Sequence, residues 1–129
     1  MPGMSADADF AAYCAELLAP AGEVRSKSMF GGYGLYVDDL FVAIIVGDAL
    51  YLKADERSRP RFQEAGSRRF EYTRQGKRQG LGFWTAPVEA MDSPALMRPW
   101  VQLATNAALR ARPALDGGEG RRSAGRDVC

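Results

Sequence analysis

The residue types that could do chemistry are unevenly supplied along this chain. There is no histidine, so the commonest acid–base group near neutral pH and the commonest metal ligand are both missing. The cysteines, Cys14 and Cys129, are far apart and in unlike contexts. That argues against a disulfide framework and fits a reducing compartment. No His, Lys or Arg stands beside Cys14 to lower its pKa, so it reads as a small buried hydrophobe. Asp38 and Asp39 are neighbours in a turn, unlike carboxylates that flank a substrate from two sides. A metal would need more oxygen ligands at loop spacing than the chain offers. No catalytic residue, metal site or cofactor is expected on these grounds, and the domain reads as non-enzymatic.

Arginine, by contrast, is plentiful. Arg57, Arg59, Arg61, Arg68, Arg69, Arg74, Lys77 and Arg78 fall in one span, offset there only by Glu56, Glu64 and Glu71. Such a run is an ordinary solvated face, a partner contact, or a phosphate-binding patch of the kind that drives non-specific DNA affinity. On the nucleic-acid reading Tyr72 and Trp84 would add stacking surfaces, whereas by themselves Trp84 and Trp100 read as core or interface aromatics. No helix-turn-helix spacing or RNA-binding signature accompanies it. A small anion handled by arginines and carboxylates is the enzymatic alternative.

The other cluster is Gly31-Gly32-Tyr33-Gly34. Glycine-rich phosphate cradles open a helix and carry a trailing Gly-Lys-Ser/Thr. Here the glycines join strand to strand, so Gly31, Gly32 and Gly34 read as a structural bend that lets another backbone come close. Arg25 and Lys27 alternate with Ser26 and Ser28, as on a polar, exposed strand edge. Lys53-Ala54-Asp55 reads as a local ion pair or a helix cap.

The elements that must position these residues follow from pattern. With 129 residues, 47% hydrophobic content and a formal charge of +1, the chain can build one domain with a modest core and no strong overall electrostatic bias. Residues 1–6 read as a leader, 7–113 as the domain and 114–129 as a disordered tail poor in apolar side chains. The run Leu40–Val46 is far short of the ~20 residues a membrane span needs. Asp7 and Asp9 stand where a secretory signal would be basic, so a cytoplasmic protein is expected. Phe10, Cys14, Leu17 and Leu18 share a helical face that Pro20 and Gly22 terminate. Strands are expected at 25–30, 35–37, 40–46 and 49–53, with tight turns at Asp38-Asp39 and Gly47-Asp48. Asp55 or Ser58 caps a short helix holding Pro60 and Phe62 and closed by Gly66.

Further strands are expected at 70–73 and 81–85, with residues 74–80 as a polar turn between them. The last helix is capped by Asp92 or Ser93. Pro99 is expected to split it into a short turn over 93–97 and a long helix over 99–111. Leu96, Trp100, Leu103, Ala107 and Arg110 are expected on one side. The fold class is therefore α+β, two-layered: helix, antiparallel meander of about four strands, helix, two strands and a C-terminal helix.

Read together, Arg25-Ser-Lys-Ser-Met-Phe-Gly-Gly-Tyr-Gly-Leu-Tyr, Leu50-Tyr-Leu-Lys-Ala-Asp, Pro60-Arg-Phe, Gly82-Phe-Trp-Thr-Ala-Pro and Pro99-Trp-Val resemble the TfoX N-terminal domain family over residues 8–111. The family takes its name from a bacterial regulator of natural competence. The resemblance implies a secretion-chaperone-like fold, a homodimer, and a regulatory or protein-interaction role connected with transcription or competence. The competence regulators also carry a second, helical domain, whereas here Pro113 leads into the tail. A protein partner and nucleic acid are the occupants the arginine span leaves open.

Overall fold

A computed structural model describes residues 8–29, 32–74 and 77–111; the side chains at 29, 72–74 and 77–81 lie outside the description. The expected leader at 1–6, the tail from 114 and Gly31 also fall outside it. The chain forms a six-stranded antiparallel sheet with helices gathered on one face. In chain order the elements are α1 (Ala8–Leu18), β1 (Val24–Met29), β2 (Gly32–Val37), β3 (Leu40–Val46), β4 (Ala49–Lys53), α2 (Arg59–Glu64), β5 (Arg69–Arg74), β6 (Lys77–Thr85) and α3 (Pro94–Ala111). Short 3-10 turns at Ala19–Ala21 and Val88–Asp92 close α1 and lead into α3. This is the expected α+β layout, and the sheet order is β1-β2-β3-β4-β6-β5.

The first hairpin turns on Asp38 and Asp39, both at positive φ (50° and 69°). That is the primed geometry whose twist matches the strands. Asp38 also accepts a hydrogen bond from the Glu23 amide at 2.9 Å, which ties the turn to the entry of β1. β3 lies inside the sheet, between β2 and β4, as its unbroken apolar run requires. A bulge opposite Leu35/Tyr36 leaves Val42 as an extra residue, and Val42 is fully buried in the core. Leu35, Val37, Ile45, Leu50, Leu52 and Trp84 supply the sheet's half of that core. Leu17 and Leu18 of α1, Phe62 of α2, and Met97, Val101 and Ala104 of α3 supply the helical half.

Several expectations change. Gly32 is not in a bend. It lies in β2 opposite Met29 of β1, and neither it nor Gly34 has positive φ. Its smallness serves contact instead: a Cβ there would stand 2.0 Å from the Ile45 carbonyl oxygen. Residues 74 and 77–80, expected as a turn, are strand, with Arg74 paired to Lys77 and Thr73 to Arg78. α3 is one helix through Pro99. Its start is capped by Ser93, whose Oγ accepts the Leu96 amide and whose carbonyl accepts the Met97 amide. Met97 and Val101 are buried on either side of Pro99, which itself is exposed, so tertiary packing carries the helix across the missing amide. The buried stripe is Met97, Val101, Ala104, Thr105, Ala107 and Ala108. Of the side expected to carry Leu96, Trp100, Leu103, Ala107 and Arg110, Ala107 is buried while Leu96 and Arg110 are exposed.

Candidate functional site: an arginine cleft beside a structural carboxylate

The turn at 55–58 organises the site. The Asp55 carboxylate accepts the backbone amides of Arg57 (3.1 Å) and Ser58 (3.2 Å), and the Ser58 hydroxyl accepts the Asp55 amide in return (3.0 Å). This reciprocal pair satisfies the donors that a helix start leaves orphaned. α2 follows at once, with Pro60 in its first turn. It ends on Gly66 (φ 83°), with the Ser67 amide donating to Phe62 and the Gly66 amide to Gln63, the Schellman arrangement. Both ends fixed, this short helix buries Phe62 completely and holds Arg57, Arg59 and Arg61 outward.

Asp55 has a second partner that sequence spacing does not reveal. Arg110, in the last turn of α3, donates to both carboxylate oxygens, Nε to Oδ2 at 2.6 Å and Nη2 to Oδ1 at 2.8 Å. The fork-on-fork geometry is the strong form of the ion pair. The Arg110 hydrogen bond holds the Asp55 carboxyl down at about 2, helped by the Ser58 and Arg57 amides and opposed by partial burial. Arg110 is raised in turn by Asp55. A carboxylate so firmly ionised is a structural anchor and a poor proton donor near neutrality. Lys53-Ala54-Asp55 is thus a cap whose ion-pair partner lies far away in sequence.

Beside this anchor is an open cleft of about 350 Å³, lined by Asp55, Glu56, Arg59, Arg69, Gly82 and Trp84. It brings Arg59 from α2 and Arg69 from β5 into one site. Arg69 faces Trp84 across the β5–β6 ladder and makes a 2.8 Å ion pair with Glu71. Trp84 is buried in the core, as its reading as a core or interface aromatic requires, so it forms a wall of the cleft and adds no free stacking surface to a nucleic-acid reading.

The rest of the arginine span divides. The Arg61 guanidinium lies 5.8 Å from the centre of the Trp100 ring, which packs on Phe62. Arg57 and Arg68 are exposed, the latter with its amide on the Thr85 hydroxyl. Among the described residues, Arg57, Arg59, Arg61 and Arg68 have no acidic group within ion-pair distance. The side chains of Arg74, Lys77 and Arg78 lie outside the described residues.

Cys14 is fully buried, and burial pushes its thiol up to about 12, as befits a core residue. Among the described residues no group of His, Cys, Asp and Glu is arranged to hold a metal. No helix among them is long and apolar enough to cross a membrane. Compared with known proteins, the chain matches the family model described as TfoX N-terminal domain over residues 16–108. No curated protein matches it.

Proposed function

The chain belongs to the TfoX N-terminal domain family, and from that premise we propose a regulatory binding module with no catalysis of its own. It acts as a homodimer and docks an acidic segment of a partner protein in the Arg59–Arg69 cleft. The observation that carries the reading is the cleft itself, which Arg59 of α2 and Arg69 of β5 line together beside the Trp84 indole. Asp55, the carboxylate best placed for acid–base chemistry there, is committed to Arg110 and the α2 cap. Glu56 and Glu71 stand among the arginines, which suits a mixed protein contact better than a long polyphosphate track.

A fluorescein-labelled glutamate-rich peptide, followed by anisotropy, tests the cleft. Binding that falls at least tenfold in the Arg59→Glu/Arg69→Glu double variant is the expected result; binding that survives it sinks the assignment. Sedimentation of the Cys129→Ser chain at micromolar concentration tests the dimer, and a monomer throughout that range removes it.

The second reading is duplex nucleic acid along the Arg57–Arg78 span, favoured by the exposed Arg57, Arg61 and Arg68, which have no acidic partner among the described residues. It requires a salt-dependent mobility shift of a DNA duplex that is lost on reversing Arg57, Arg61 and Arg69. A duplex unshifted even at low salt rules it out.

A further inference from the structure

α1, α2 and α3 each bury apolar side chains in the core on one face of the sheet. The opposite face is built differently. Strand alternation and the register place Tyr36 of β2, Phe41 of β3, Tyr51 of β4, Phe83 of β6 and Phe70 of β5 there. The rings run across the strands in contact. Tyr36 stacks on Phe41 (centroids 5.1 Å apart), Phe41 leans on Phe83 (5.5 Å), and Tyr51 meets Phe70 edge-on (5.0 Å). Phe83 is buried, but Tyr36, Phe41, Tyr51 and Phe70 each stay partly open to water.

The charge on this face is one-sided. Arg25 and Lys27 of β1 point to it, two residues apart on the edge strand and hence about 7 Å from each other. Lys53 lies over the Phe83 ring, 5.4 Å from its centre. Among the described residues no strand position on this face is Asp or Glu. At its edge is a hollow of about 180 Å³ lined by Arg25, Ser26, Lys27 and Tyr36. Among the described residues, Asp39 at the hairpin tip is the acid paired with Arg25. Both side chains are largely exposed (74% and 63%), so the pair is weak and a phosphate can take its place.

We propose that this aromatic face is a binding platform for single-stranded nucleic acid, with bases laid on the rings and phosphates held by Arg25, Lys27 and Lys53. Rings flanked by cations along a sheet meet both demands of a single strand: stacking surface and neutralisation of its backbone. A duplex hides its base faces and cannot use the rings. A second copy of the chain would bring cations of the same sign to the same face. The platform is on a different surface from the arginine cleft and does not depend on it.

The test uses the full Cys129→Ser chain and a fluorescein-labelled oligothymidylate of about 12 nucleotides, with an abasic oligomer of equal length as control. Expected is binding at low salt, stronger for oligothymidylate than for the abasic strand, with a log–log salt slope of about −2 for the cations named. Lys27 is exposed, so Lys27→Glu leaves the fold intact and should weaken binding severalfold. Tyr36→Ala should cost roughly 5- to 100-fold, read beside a melting curve that confirms folding. Arg59→Glu/Arg69→Glu should change little, which separates this platform from the cleft. No binding, equal affinity for the abasic strand, or indifference to Lys27→Glu overturns the proposal. So does a self-associated chain that Tyr36→Ala dissociates, which would mean that a second copy covers the face.

Discussion

Asp55 shows how much one side chain can tie together. It caps the turn into α2 and clamps Arg110 at the end of α3. Its pKa is held below the ordinary 3.8, at about 2, so the folded state binds a proton less readily there than the unfolded chain does. The stabilisation is fully present above about pH 4 and is lost as pH falls through about 2. Because the pair is partly exposed, we discount the shift to about 1 kcal/mol. Asp55→Asn keeps a capping oxygen but loses the ion pair. Unfolding free energies from urea titration of the two proteins should therefore differ by about that much at pH 6 and converge as pH falls to about 2. Gly32 gives the second prediction at this scale. With the Ile45 carbonyl 2.0 Å from any added Cβ, Gly32→Ala should destabilise by about 2–3 kcal/mol, seen as a matching drop in urea midpoint. The capping role of Asp55 was legible because Asp, Ser and Pro stand at the right offsets. Its partner was not, because local spacing says nothing about a residue 55 positions away.

Among the elements, α3 best marks where local rules give way. Proline at its sixth position removes an amide and predicts a break, yet the helix runs from Pro94 to Ala111. The proline ring faces solvent while Met97 and Val101 anchor the turns on either side. Pro99→Ala should restore a hydrogen bond to the Ala95 carbonyl and stabilise the fold by roughly 1 kcal/mol after the unfolded chain regains its freedom, read as a higher melting temperature. A lower melting temperature would mean that the helix needs the proline. The strands were easier to read. The apolar run of β3 and the turn residues at 38–39 and 47–48 set the meander almost unaided. The β5–β6 hairpin was less visible, because polar Arg74 and Lys77–Gly80 resemble a loop until the ladder pairs them. The ring face escaped notice for a related reason: alternation shows which residues share a face of one strand, but only register across strands brings Tyr36, Phe41 and Phe83 into contact.

For the molecule as a whole, the two faces of the sheet are built differently. One is sealed by helices, and Cys14 reports on that seal. Its thiol is fully buried, and burial raises its pKa from 9.0 to about 12. In the Cys129→Ser chain, maleimide labelling of Cys14 at pH 7 should be at least a hundredfold slower than in urea, because reaction waits for opening of the fold. The same shift means that the core is favoured with the thiol protonated, so this contribution to stability is present below about pH 9 and declines as pH rises through 12. Composition and net charge gave no hint of such asymmetry, since a chain total of +1 averages over surfaces of opposite character.

The Asp55–Arg110 clamp also holds the last turn of α3 to the residue that lines the arginine cleft. Asp55 lines the arginine cleft, and Arg110 stands one residue before the end of α3. A ligand group fused to the end of α3 would therefore compete for the cleft at an effective concentration that a free ligand reaches only in the millimolar range. An acidic tag fused there competes with any partner from within the same molecule, whereas a tag ahead of α1 is not anchored at the rim in this way.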